Sequence, residues 1–395
     1  MIDVIFIALC LASAALIVYH HIGYPLILRW YSTSHPVDLI KDVERGYRVD
    51  ARDSFLPTVT VLVPAFNEEQ YIADKIRNLA ALDYPSNKLR IIIACDGCSD
   101  QTVDVAQMTI QEAICSDIHF EVHDFKENRG KVAVVNAELA EIESDITALS
   151  DVSALISLDS LLIASAHFSD PQVGVVNATY CLCPSENQGE SSYWAYQTAQ
   201  KQREATFGSS LGSHGAFYLF RTVLFETLPS NTINDDFILP MQIVMKGYRA
   251  DYDTNMVALE MEQTTANDDF KRRLRISAGN MQQAIALFSL FNPKFRGVAF
   301  AFFSGKGLRL LTPYLMIACL FSSFMLKSYP IFEALLWVQI SVYSLGIVAQ
   351  WLPKALSFKP LTLVSYLVIG HYANFIGGLR YLLGFEQSHW TRVNR

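Results

Sequence analysis

Charge-free apolar runs bracket a polar middle, and this arrangement constrains the fold of the chain more than any other feature of its 395 residues. Residues 4–28 contain no Asp, Glu, Lys or Arg and are long enough to cross a bilayer as a helix. Runs at 310–326, 334–353 and 360–379 are equally free of those charges and match single spans. A cleaved signal peptide ending near Ala12-Ser13-Ala14 is the rival reading of the first run. No basic residue precedes it, however, and the apolar stretch continues past the triplet, so a retained anchor is expected. The resulting plan is a helix over 1–30, a juxtamembrane linker over 31–56 and a polar domain over 57–290. An interfacial segment over 291–309, three spans over 310–383 and a tail over 384–395 complete it.

Basic residues orient such a plan, because they are retained on the cytoplasmic side. Arg29, Lys41, Arg309, Lys354 and Lys359 fall on one side of four spans, so residues roughly 30–305 are expected to face the cytoplasm at the cell (inner) membrane. Lys327, Arg392 and Arg395 run against that count. The net charge of −8 argues against a nucleic-acid partner, since phosphate neutralisation needs a basic face. Seven cysteines, an odd number, give no disulfide framework. Cys95-Asp-Gly-Cys98 has redox spacing but reads as a strand end.

The polar middle alternates two kinds of segment. Residues 59–63, 91–94, 120–122 and 146–149 are short apolar runs with the length of buried strands, the first closed by Pro64. Between them, Ile72, Ile76, Leu79 and Leu82 carry helical spacing behind Asn67 as cap. Further helices are expected from Asp100 and over 131–142. Strand alternating with helix predicts an α/β domain with a parallel sheet. In such sheets ligands bind beyond the carboxyl ends of the strands, which is where Asp96 and Asp151 stand.

The ordered motifs narrow this further. Val61-Leu-Val-Pro-Ala-Phe-Asn-Glu-Glu69, Ala94-Cys-Asp-Gly-Cys-Ser-Asp100, Asn128-Arg-Gly-Lys131 with Asn136, and Ser150-Asp-Val-Ser153 resemble the opening half of the family 2 inverting glycosyltransferases. Asn234-Asp-Asp236 stands where these enzymes carry an acidic pair, and Arg272-Arg-Leu-Arg-Ile276 where the processive ones carry Gln-x-x-Arg-Trp. With the flanking spans, the chain looks like the membrane-bound branch that includes cellulose, hyaluronan and poly-N-acetylglucosamine synthases. The resemblance implies a nucleotide-diphospho-sugar transferase (GT-A-like) domain with flanking transmembrane helices.

It also implies roles. Asp96 would accept from uracil N3–H, and Glu68 would bind the nucleoside unless it is only an acid in a helix first turn. Lys131, opening a helix, suits the diphosphate, against the plain reading of a surface lysine. Asp151 would hold Mg²⁺ or Mn²⁺; its plain alternative is a helix cap. The second position of the metal motif is Ser153, a weaker ligand. Asp236 would be the general base and Asp235 its partner, the two being interchangeable on sequence alone, and both double as caps of the helix that follows. Arg275 would meet the departing diphosphate. The run Gly208-Ser-Ser-Leu-Gly-Ser-His-Gly215 lacks a phosphate-loop ending and suits the acceptor, with His214 as hydrogen-bond donor. Donor, acceptor and surroundings are then a UDP-sugar, a glycan or lipid-linked acceptor and the lipid bilayer. Partner subunits of a polysaccharide export system are a further expectation. Extension of a polysaccharide is the leading reading. Single-sugar transfer to a lipid carrier, favoured by Ile276 replacing tryptophan, and a non-catalytic nucleotide-sugar sensor stay open.

Overall fold

The structure, a computed structural model, describes residues 1–36, 45–183, 188–262, 266–349 and 359–385. Lys41, Lys354, Arg392, Arg395 and the end of the third expected span at 350–353 lie outside them. The chain divides into two compact units. One is made chiefly of Met1–Arg29, Thr265–Pro293 and Ala299–Glu386, the other of Trp30–Thr264 with Lys294–Val298.

The first unit is helical. Among the described residues, three helices are long and apolar enough to cross a membrane: Ile2–Ser34, Gly297–Met325 and Pro330–Val348. A further helix, Lys359–Leu382, packs on the helix Ala266–Ala286. Their backbones approach so closely that a Cβ on Gly377 would come within 2.6 Å of the Leu274 carbonyl oxygen. Small residues permit such approaches between helices in an apolar medium. Polar side chains inside the unit answer one another. Tyr19 meets Ser304 at 2.9 Å, and Gln339 donates to Ser323 at 3.1 Å. His371 meets His21 at 3.0 Å.

The second unit is a mixed sheet covered by helices. Its strands are β1 (Val59–Ala65), β2 (Leu89–Asp96), β3 (His119–Phe125), β4 (Ile146–Ser150), β5 (Ala154–Ile156), β6 (Val173–Leu182), β7 (Phe217–Arg221) and β8 (Arg249–Glu260). They lie in the order β3-β2-β1-β4-β7-β6-β8-β5. The first four are parallel, as their sequence alternation with helices requires, while β7 and β5 run antiparallel to their neighbours. Val59, Val61, Val63, Ile91, Ile93, Ala148 and Leu219 share one buried core. Each buried Val, Ile or Leu side chain among them contributes about 1.5–3 kcal/mol.

Two local expectations are corrected. β1 does not stop at Pro64 but runs through it to Ala65. Pairing with β4 ends at Leu62 whereas pairing with β2 continues, so the missing N–H falls where β1 is already an edge. Asn67 caps no helix: the helix Ile72–Ala80 starts later, and Asn67 takes a left-handed φ of 56°. Its side-chain oxygen accepts from the Ser99 backbone N–H at 2.8 Å, which ties the β1 end to the β2 end. Asparagine tolerates that conformation better than most residues.

On the other flank a charge network fixes β8. His167 gives one ring nitrogen to Asp251 and the other to Asp253, each at 2.9 Å. Burial disfavours its charge, but the two carboxylates outweigh burial and raise it to about 9, so the ring is an imidazolium at neutral pH. Removing such a partner would strand the fully buried Asp253, at a cost of about 3–5 kcal/mol.

Candidate active site

The strand ends of the second unit carry the chemistry. β2 ends in Asp96, which is fully buried. Its two oxygens accept from the backbone N–H groups of Arg129 at 2.9 Å and Gly130 at 2.7 Å. A buried carboxylate retains lone pairs beyond these two bonds, but its observed work is to clamp the 128–130 loop. Gly97 is required beside it. It has φ of 63°, and a Cβ there would lie 2.3 Å from the Asn128 nitrogen. The clamped loop delivers Lys131 as the first residue of the helix Lys131–Leu139.

Lys131 reaches over the sheet to the acidic group. Its ammonium lies 2.7 Å from Asp151 and 3.9 Å from Asp235. Burial works against the charge on Asp151, yet Lys131, through its charge and hydrogen bond, holds that carboxyl below the ordinary range. Asp235 and Asp236 open the helix Asp235–Met245, with Asn234 at its cap position. Asp236 accepts from the Gly215 N–H at 3.1 Å. Burial and the adjacent Asp235 carboxylate push Asp236 up, against the pull of Lys131 and Lys201. Lys131, Asp151, Asp235, Asp236 and the loop of His214 are thus brought together. His214 stacks on Tyr180 with ring centroids 3.7 Å apart, and its Nδ1 accepts from the Ala216 N–H at 3.2 Å. That leaves Nε2 as its donor nitrogen.

Three other expected residues have partners of their own or belong to a different element. Ser153 sits at the start of β5, where its side chain hydrogen-bonds Glu260 and its carbonyl accepts from the Met261 N–H at 2.9 Å. Glu68 lies at the β1 end, its N–H donating to Thr102 at 2.7 Å. Arg275 is exposed on the helix Ala266–Ala286 of the first unit.

Gly215 belongs to the run expected to meet the acceptor, whereas Lys201, Tyr218 and Lys75 escaped the sequence reading. Gly215 has a Cβ position only 2.9 Å from Asp151 Oδ2, so any side chain there would crowd that carboxylate. Lys201 donates to the Ser213 carbonyl at 2.8 Å, and burial lowers its proton affinity against the pull of Asp236 and Glu204. Tyr218 on β7 is 1% exposed, and its hydroxyl has no hydrogen-bond partner among the described residues. Lys75 is fully buried, donating to Ser150 at 2.6 Å and to the Ala154 carbonyl. Burial lowers it to about 7 although Asp151 and Glu260 attract its charge. Only Lys75 left a signal: it interrupts the apolar face of its helix between Ile72 and Ile76.

The arrangement suits a divalent cation. Among the described residues no group of three or more His, Cys, Asp or Glu is gathered around a point. Mg²⁺ and Mn²⁺ nevertheless need only one or two carboxylates when a phosphate supplies the rest. Asp151 offers a hard oxygen, already accommodates an ammonium, and faces space that Gly215 keeps open.

The order of strands, with an acidic helix start and a lysine-bearing helix start, defines a GT-A-like α/β fold. The chain belongs to the family described as glycosyltransferase like family 2, whose sequence profile matches residues 57–279. It is 25% identical over 236 residues to the poly-beta-1,6-N-acetyl-D-glucosamine synthase of Staphylococcus aureus, covering 57% of this chain and 55% of that one. It is 24% identical over 247 residues to an N-acetylglucosaminyltransferase of Rhizobium leguminosarum bv. viciae, covering 57% and 56%. The chain thus spans about half the length of the curated relatives it matches. A mannosyltransferase from Pyrobaculum calidifontis, solved with GDP-Man and Mn²⁺, shares the fold at a TM-score of 0.70 and 21% identity, over 96% of this chain and 100% of that one.

Proposed function

We propose that this protein is a multi-pass membrane enzyme that transfers a sugar, with inversion, from a UDP-sugar to a growing polysaccharide, its catalytic unit on the cytoplasmic side of the inner membrane. The single observation that carries this reading is Lys131 bridging Asp151 and Asp235 beside an Asp236 held by the Gly215 amide. Asp151, with Ser153 nearby, holds Mg²⁺ or Mn²⁺, which neutralises diphosphate charge when bound. Lys131 and the helix N-terminus that bears it bind phosphate oxygens. Asp96 and Glu68 shape the nucleoside pocket, Asp96 through the loop it clamps. Arg275 receives the departing diphosphate.

Asp236 is the general base. Burial and Asp235 raise its carboxyl, which makes it a better acceptor for the proton of the attacking hydroxyl. The amide of Gly215 orients it, and His214 donates to the acceptor through Nε2. Similarity to polysaccharide and N-acetylglucosamine transferases favours a glycan acceptor. The glycan emerges through the membrane helices of this chain or of partner export subunits.

The test is a donor screen on the full chain in liposomes with Mg²⁺ or Mn²⁺, reading released nucleotide and product length. UDP-N-acetylglucosamine and other UDP-sugars are expected to be consumed into an oligomeric product. GDP-mannose serves as the opposing donor, because the structural neighbour was solved with it. Turnover with GDP-mannose alone contradicts the UDP assignment. A product carrying a single sugar on lipid favours the second reading, which rests on Ile276 in place of an acceptor-side tryptophan.

A further inference from the structure

One buried polar atom near the acidic group lacks a partner among the described residues. Tyr218 lies on β7 between Asn177 of β6 and Leu149 of β4, and Leu149 stands two residues before Asp151. It is 1% exposed, and its hydroxyl makes no hydrogen bond to any described residue. The carboxylates that act on it are those of Asp235, Asp236 and Asp151, and with burial they keep it in its neutral, donating form. Buried hydroxyls in folded proteins are rarely left unanswered, so an orphan of this kind needs a reason.

The neighbouring pairings supply one. A single ammonium, Lys131, serves both Asp151, at 2.7 Å, and Asp235, at a long 3.9 Å. A bound diphosphate competes for that ammonium more strongly than a distant carboxylate does. Asp235 then loses its counter-charge beside Asp236, whose own oxygen is already taken by the Gly215 amide. With Lys131 engaged elsewhere, Lys201 remains as a cation for Asp236, but the repulsion between the two adjacent carboxylates grows, which favours uptake of a proton that would disable a base. The buried, unpaired Tyr218 phenol, on the strand that pairs with β4, is a donor that water does not reach.

We propose that Tyr218 is a positioning residue whose hydroxyl donates to Asp235 when the donor diphosphate draws Lys131 away, keeping the acidic pair ionised and aligned for transfer. The proposal rests on the reading of Asp235 and Asp236 as the acidic pair of a sugar transfer. Its role differs from a structural one in a measurable way. An orphan hydroxyl contributes nothing to the stability of the ligand-free fold, so Tyr218→Phe leaves the melting temperature unchanged or slightly higher.

The experiment measures Tyr218→Phe, Asp235→Asn and the double variant in the full chain, with UDP-sugar and Mn²⁺. Tyr218→Phe is expected to lower kcat about 10- to 100-fold, the effect of one lost hydrogen bond to a charged group. The affinity for UDP with Mn²⁺ stays within about twofold, since neither ligand touches the hydroxyl. In the Asp235→Asn background the same change adds little, because the two act as one unit. Wild-type kcat in Tyr218→Phe overturns the proposal, as does a loss of UDP affinity in step with kcat or a full additive loss in the double variant. Wild-type kcat in Asp235→Asn as well overturns the acidic-pair reading beneath it.

Discussion

The two halves of the catalytic unit are built by different rules. From β1 to β4 the strands are parallel, and their consecutive ends place Glu68, Asp96, Lys131 and Asp151. From β5 to β8 the sheet mixes directions, and its working groups arrive from a helix start (Asp235 and Asp236), a loop (Gly215 and His214) and the body of the helix Gln188–Ala205 (Lys201). In the first half function follows the regular sheet, so each residue announces itself after an apolar run. In the second half function follows packing between segments distant in sequence: Asn234-Asp-Asp236 and the run to Gly215 stand out as motifs, but their meeting does not. The comparison also divides the labour. The regular half suits a donor whose nucleotide and diphosphate have a fixed shape, and the irregular half suits an acceptor and the proton it gives up.

The largest expected effect lies in the second half. Asp236→Asn removes the base and should cut transfer by about 10²–10⁴-fold while UDP-sugar binding stays near wild type, measured by kcat and by equilibrium titration. If donor binding falls equally, the division between halves is wrong at its centre. Next is Asp96→Asn in the first half. The amide cannot accept with both atoms from Arg129 and Gly130, so one backbone donor is stranded and nucleotide affinity should fall about 10-fold or more, read by UDP titration.

Gly215→Ala joins the halves. The added methyl crowds Asp151 Oδ2 from the acceptor-side loop, and both Mn²⁺ affinity and kcat should fall about tenfold. A change in kcat alone would place the glycine wholly in the acceptor half. The smallest expected effect is a pH shift. Asp236 must be ionised to act, and burial with Asp235 raises it, so activity falls as pH drops through a value above the ordinary carboxylate range. Lys201 pulls it back down. In Lys201→Met the acid limb of kcat should therefore move to higher pH, by a few tenths to about one unit. An unmoved limb would remove Lys201 from the base's surroundings.

What was legible follows the same division. The strand runs at 59–63, 91–94 and 146–149 all became strands, because alternation of apolar runs with helical spacing is a local signal. Three of the four charge-free runs fall mainly in helices long and apolar enough to cross a membrane, a property legible from apolar length alone. Pro64 and Asn67 misled, since edge pairing and a tie between strand ends are decided by neighbours in space. Lys75 shows the opposite case, a visible break in an apolar helix face whose meaning, a buried amine held by Ser150 and the Ala154 carbonyl, needed the fold. Tyr218 carried no signal at all. A tyrosine in an apolar strand looks like core until its hydroxyl is found unanswered.

The central claim is a transfer in which a carboxylate base on one face drives the acceptor against the bond to the diphosphate. The anomeric configuration of the first bond formed, read by proton NMR on product made from an α-linked UDP-sugar, tests it most directly. Inversion to a β-linkage is the predicted result. A retained α-linkage would contradict it, because attack from the opposite face by a hydroxyl deprotonated at Asp236 cannot give retention.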